Sequence, residues 1–281
     1  MKKFFFTTTF IFISFSLFSQ DFQGQAFYKT KTNMDFGSWG DKMTTEQKNM
    51  MKERMKPFLE PVFILTFDKI KSIYKEEESL GAPGGSGGRG WTNIMMSNGG
   101  PIYKNIKSDK HLQSTEFMGK KFLISQKANE INWLMQNDQK MIGNYLCFKA
   151  TAMIAKPKTI TSAWSNNEKK NIVNDSIQNS EINQNYKEFT TVTAWYTPQI
   201  PVTHGPAEYG GLPGLILEIS TENSVILCTK VVMNPEKKIE ILEPSKGELV
   251  SKIEFENIVE VKVNEMRDMW SGQRGKSRRK N

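Results

Sequence analysis

His204 stands four residues before Glu208, a spacing at which a carboxylate could orient an imidazole serving as general base, with Trp195 and Tyr209 on either side to roof a pocket. The competing reading has His204 hydrogen-bonding within its own loop. The other histidine, His111, is remote in sequence. Zinc commonly takes three or four His, Cys or carboxylate ligands, and no HExxH or CxxC occurs, so neither a metal nor a cofactor is expected. Gly84 to Gly88 fits Gly-x-Ser-x-Gly only as part of a glycine run that no strand leads into directly, so it is no nucleophile elbow and gives a serine hydrolase of that type no support. The glycine-rich run Leu80 to Gly90 lacks a Gly-Lys-Ser/Thr ending and follows no strand directly, which excludes a phosphate-binding loop.

Sulfur is the second chemical resource. Met43, Met50, Met51 and Met55, with Met95 and Met96 further on, could offer thioethers to Cu(I). Methionine at helical spacing also serves as ordinary core filling. Cys147 and Cys228 are the only cysteines, and in an exported chain they are expected to pair. Alternation with Lys149 and Lys230 puts both on the more polar faces of their strands. A bridge closing about 80 residues would add roughly 4 kcal/mol.

These groups must be positioned by strands. Ala194 to Ser220 reads as a strand ending near Thr197, a loop punctuated by Pro198, Pro201, Gly205 and Pro206, and a tight turn, Gly210, Gly211, Leu212, Pro213, Gly214, feeding a buried strand that opens with Leu215 and Ile216. Glycine admits positive φ or close backbone approach and Pro213 fixes a bend, which argues for a rigid corner. The alternative is a surface offered to a ligand or partner, with Trp195, Tyr196 and Tyr209 beside it. The run Gly210 to Ile216, with Ala194 to Thr197, Gly205-Pro206 and Gly143 to Ala150, resembles the GLPGLI family of secreted proteins from one group of Gram-negative bacteria. Phe63 to Phe67 with Ser72 to Tyr74 fits that pattern more loosely. The resemblance spans most of the mature chain and brings no assigned activity. The polar stretch Glu168 to Glu188 is longer than the resemblance implies.

The chain opens with Lys2, Lys3 and an apolar run from Phe4 to Phe18, the pattern of a signal peptide over residues 1–20, which predicts a periplasmic or secreted protein. A single domain is expected over 21–270 and a disordered basic tail over 271–281. Seven of the 38 basic residues lie in the signal and the tail, so the body's remaining 31 cations face 30 acids. That balance gives no reason to expect a nucleic-acid surface. The tail could make weak contact with an anionic membrane surface.

A helix is expected from Thr44 to Glu60, opened by a Thr44/Gln47 capping box. Hairpin strands follow at Pro61 to Phe67 and Ile70 to Glu76, then short strands at 101–106, 111–118, 121–126, 130–136 and 145–154, with Asn137-Asp138 as a turn and the Trp133 strand central. Further strands are expected at 160–164, 191–197, 224–233 and 238–242, and a final helix capped by Ser251 and Glu254. Together these predict a mainly β (α+β) fold. Its centre is a curved antiparallel meander sheet, closed no further than an open half-barrel, with a helix on the N-terminal side and a C-terminal amphipathic helix packed on it. The abundance of Phe and Met favours a non-catalytic protein that binds an apolar ligand or docks to an envelope protein. The alternatives are an enzyme using His204 and Glu208, and a Cu(I)-handling protein.

Overall fold

Strict alternation builds the first half of the sheet. Strand β1 (Gln23–Thr32) buries Ala26 and Tyr28, β2 (Val62–Asp68) buries Phe63, Leu65 and Phe67, and β3 (Lys71–Glu76) buries Ser72 and Tyr74. Period two places these on one face, and the register Ala26↔Leu65↔Tyr74 aligns them across strands. The β2–β3 turn is held by Asp68, whose Oδ1 accepts from the backbone N–H of Ile70 and of Lys71, both at 2.6 Å. A computed structural model of the protein describes residues 22–33, 43–77, 100–126, 131–155 and 189–277. The expected signal peptide, the run Leu80 to Gly90, Met95, Met96, the strand at 160–164 and the polar stretch Glu168 to Glu188 lie outside the described residues.

Strands β4 (Ile102–Asn105), β5 (Lys110–Phe117) and β6 (Lys120–Gln126) complete a first meander. A second comprises β7 (Leu134–Ile142), β8 (Tyr145–Ala155), β9 (Phe189–Thr197), β10 (Leu215–Ser220) and β11 (Ser224–Met233). The two are fused by β1 and β11, paired antiparallel from Gly24↔Met233 to Thr32↔Ser224. The last strand, β12 (Glu248–Ser251), runs parallel to β6. The result is an open, curved sheet of 12 strands with β12 and β7 at its edges.

The sheet is therefore mixed, not wholly antiparallel. The reason is the connection from β11, which crosses the back of the first meander and reaches β6 running the same way, as a parallel pair requires. On its path Ile239 exchanges two hydrogen bonds with the Gln23 side chain (2.6 and 2.8 Å), and Ile241 packs against Tyr103, Leu112 and Leu123. The strand expected at 238–242 is this irregular strap.

The mainly β fold and the helix near each end match expectation. Helix α1 (Thr45–Leu59) has the Thr44/Gln47 capping box, but none of its side chains is fully buried. Met51, Met55, Phe58 and Leu59 are half-buried on one side, so α1 covers the sheet without filling its core. Helix α2 (Lys252–Ser277) starts at the Ser251/Glu254 box and packs Phe255, Val259 and Val263 on Phe117, Phe122, Ile124 and Val250. It continues to Ser277, past the point where a disordered tail was expected to begin. No proline interrupts it, and the two glycines at 272 and 275 penalise a helix without forbidding it.

Three further expectations are corrected. The Trp133 strand is not central: β7 starts at Leu134 and lies at the sheet edge, with Leu134 and Met135 exposed. Asn137 and Asp138 form no turn but sit in a bulge between Met135 and Gln139, where Asp138 reaches Lys149 (3.6 Å) and Gln136 donates to Thr151 Oγ1 (3.2 Å). Nor do Cys147 and Cys228 form a disulfide; both are free and buried. Strands β9 and β10 lie between β8 and β11, so the two cysteines are not on neighbouring strands, and although both side chains enter one core they remain unbridged. Alternation with lysines misleads here, because lysine stems lie along apolar surface and lift only their heads into water.

Burial pushes the Cys147 thiol up to about 11 and that of Cys228 up to about 12, so neither forms a thiolate readily. Both are expected to resist a thiol reagent in the native protein at mildly alkaline pH and to react promptly once guanidinium unfolds it. Fast native labelling would contradict this packing.

Candidate functional site

Between β9 and β10 the chain makes a signature loop, residues 198–214, that fills a seam in the sheet. Strand β11 stays with β1 along its whole length but pairs with β10 only at Glu218↔Leu227, Ile219↔Ile226 and Ser220↔Val225. The start of β10 therefore lacks a β11 neighbour, and the loop folds back to replace it. Leu215 N–H donates to Ile200 O (3.0 Å) and Ile216 N–H to His204 O (3.2 Å), while Tyr28 Oη donates to Ile216 O at 2.6 Å. The loop closes on itself through a His204↔Gly210 bridge and a Gly211 N–H to Thr203 O bond of 2.9 Å.

Two glycines are required by this path. Gly211 has φ +87, open to few side chains, and a Cβ on Gly214 would run into the Thr197 carbonyl and come within 2.8 Å of Pro198 N. Leu212, Leu215 and Ile216 are wholly buried. Ile200 and Val202 join the cluster built on β1 and β2, and Tyr209 and Leu212 join a second cluster with Ala150, Val192 and Ala194. The loop thus wedges two cores together.

Contacts with five parts of the fold pin it, three through side chains outside the loop and two through backbone groups. Lys104 of β4 donates to Tyr209 O (2.6 Å) and Gly205 O (3.2 Å), and Trp133 Nε1 donates to Gly210 O (2.9 Å). His204 Nε2 lies 3.0 Å from Asp68 O on the β2–β3 turn, and a carbonyl only accepts, so Nε2 carries the proton. Lys252 of α2 pairs with Glu208 at 3.3 Å. Leu146 N–H of β8 donates to Gln199 Oε1 (3.3 Å).

The candidate residues therefore have separate partners. His204 is 1% exposed and bonds Asp68 O, whereas Glu208 is half-buried and engages Lys252. Tyr196 and Tyr209 are buried, and Trp195 carries Lys140 Nζ 4.3 Å above its ring, with Lys140 in turn 2.7 Å from Glu218. Met50 is largely exposed on α1, beside half-buried Met51 and Met55. Lys104, His111, Ser72 and Gln126, which the sequence reading did not connect, sit under the loop. Lysine at an inward strand position was the available signal, but inward and outward could not be assigned to so short a strand as β4.

The electrostatics follow from burial. Desolvation brings Lys104 down to about 7, with Glu208 opposing the drop. Burial and the Lys104 charge bring His204 down to about 4; burial, Lys104 and Lys252 bring His111 down to about 3. Both imidazoles are neutral at pH 7, where a buried neutral donor suits a backbone carbonyl better than a stranded cation would.

An open mixed sheet wedged by a multiply pinned loop defines a β-rich scaffold. Residues 133–218 match the profile of a family described as a protein of unknown function, Porph_ging. That window runs from Trp133, which pins the loop, to Glu218 on β10. No curated protein matches the chain. Two solved structures of PNGF-II, in space groups C2 and P21, are similar to it at 14% and 13% identity with TM-scores of 0.46 and 0.47. Each match covers 85% of this chain but 32% and 33% of the PNGF-II chain, so this chain spans about a third of their length.

Two outcomes are expected. In the unfolded chain histidine titrates near 6.5, so from there down to about 4 for His204 and about 3 for His111 the unfolded state binds more protons than the native one. Stability should fall as pH drops through that window, by several kcal/mol in all. Denaturant titrations at a series of pH values should show a shallower fall for His204→Asn, and an unchanged slope would contradict the burial of this imidazole. Tyr28→Phe removes the hydroxyl bonded to Ile216 O and should cost about 1–3 kcal/mol in urea unfolding.

Proposed function

We propose that this chain is a GLPGLI-type, non-catalytic protein of the periplasm or the secreted fraction that docks to a cell-envelope protein. The observation that carries the reading is an apolar patch at one end of β7 to β9. Leu134 pairs with Thr151, Met153 with Thr191 and Ala155 with Phe189, so Leu134, Met153 and Phe189 share a face. They are 67%, 72% and 56% exposed. Contiguous apolar exposure of this kind marks interaction surfaces.

A protein partner fits the patch better than an apolar ligand held inside the sheet. Tyr28, Leu65, Phe67 and Leu215 are wholly buried by one another and by the loop, so the core's apolar surface is already used. On the patch, Thr151, Thr191 and Thr193 alternate with the apolar residues, and among the described residues no strand pairs with the outer edge of β7 alongside. That mixture of apolar side chains with hydroxyls and peptide groups suits a polypeptide surface. The separate engagements of His204 and Glu208 favour a structural role over a catalytic one. Cations of the tail, Arg278, Arg279 and Lys280, would add weak attraction to an anionic membrane surface near the partner.

The test is sedimentation with isolated envelope membranes. Wild-type protein should pellet, and the double variant Met153→Asp/Phe189→Asp should lose about tenfold in binding with unchanged thermal stability. Equal pelleting with protein-free vesicles of the same lipids would assign the surface to lipid. Wild type that stays in solution in both cases would refute docking.

A further inference from the structure

Beneath the signature loop, four polar residues stand in one cross-strand row on β3 to β6. Ser72 pairs with Lys104, Lys104 with His111, and His111 with Gln126. The row lies in an apolar neighbourhood, with Phe67 at its end and Tyr74, Ile102 and Ile124 beside it on the same face. Ser72 is fully buried, yet its Oγ has no hydrogen-bond partner, and the same holds for Gln126 Oε1. Native interiors rarely leave such groups unmatched.

The charges around the row do not cancel. Among the described residues the carboxylate acting on Lys104 is Glu208, which already pairs with Lys252. Lys104, brought down to about 7, is charged in part of the molecules at pH 7, and in that form it has no carboxylate bonded to it among the described residues. In its charged form Lys104 has three N–H donors and, among the described residues, gives two to Tyr209 O and Gly205 O, so one remains. Gln126 Nε2, a donor, lies 3.2 Å from His111 Nδ1 and 3.4 Å from His111 Nε2, so the imidazole's unprotonated nitrogen accepts from it. A desolvated cation beside an unused hydroxyl is the chemistry that recruits a small anion.

We propose that a compact monovalent anion, a halide or a small carboxylate, binds beside Ser72 and Lys104 under the signature loop, accepting from the Ser72 hydroxyl and the third Lys104 N–H. Such an ion would balance the unshared positive charge and strengthen the Lys104 clamp on the loop. Half-buried Glu208 and Lys252 form the water-facing side of this cluster, where exchange with solvent would occur. The site is independent of the docking patch, because it faces the loop and contains none of the patch residues.

The chain has two histidines, and Lys104 acts on both, so their imidazole NMR signals report on the cluster. The protein is titrated with sodium chloride and with sodium formate, each against bulky gluconate at constant ionic strength. Saturable shifts of the His111 and His204 resonances are expected with chloride or formate, and the tighter of the two identifies the class. Ser72→Ala should weaken that binding about tenfold and lower the melting temperature in the binding anion but not in gluconate. A non-saturating drift identical in Ser72→Ala would mean an adventitious ion only. A variant more stable than wild type in every salt would mean a hydroxyl that is empty or holds water, and either result would overturn the proposal.

Discussion

After Leu227, strand β11 continues along β1 and abandons β10, and the peptide groups at the start of β10 must be satisfied in the interior by something else. An unpaired buried peptide group costs about 1–3 kcal/mol. Here the partners are the carbonyls of Ile200 and His204 and the hydroxyl of Tyr28. That substitution dictates the shape of the signature loop. It also explains why His204, Gly210 and Gly214 fall where they do: the loop must bend back far enough to present two carbonyls and then pass within contact of Thr197.

A loop used in this way cannot also be a loose lid. Lys104, Trp133, His204, Gln199 and the Glu208–Lys252 pair hold it from separate elements, and its apolar residues belong to two different cores. The cost falls on Lys104 and the histidines beneath it. Burial disfavours the lysine's charge and also holds both imidazoles neutral, with Lys104 adding to the effect on each. A polar cluster of this kind couples the sheet, the loop and α2, so a change in its charge acts on the junction of all three.

Local chemistry in the sequence held at the helix caps and at two hairpin turns, and failed at Asn137-Asp138, which a remote pairing draws into β7. The Thr44/Gln47 and Ser251/Glu254 boxes start α1 and α2, Asp68 turns the β2–β3 hairpin, and Met118-Gly119 turns β5 into β6 with both residues at positive φ. Expectations failed where the answer depended on a remote neighbour. The apolar Trp133-Leu134-Met135 run looks central, yet the Trp133 side chain leaves the strand to cap Gly210 and Leu134 faces outward. The lysine alternation around Cys147 and Cys228 suggests polar faces, yet both thiols are in the core, with two strands between theirs. The candidate pair His204 and Glu208 shares a loop but not a partner.

By itself the sequence determined the periods of the strands, the caps of the helices and the rigidity of the glycine-proline corner, because each depends on sterics and hydrogen bonds within a few residues. Only the tertiary structure decided that β1 joins β11, that β12 arrives parallel to β6, and that Ser72, Lys104, His111 and Gln126 form one row. The first two rest on strands far apart in the chain lying side by side, as Thr30 and Ile226 or Phe122 and Glu248 do, and the row rests on the register of three successive pairings; strand periodicity specifies a face without naming its neighbour.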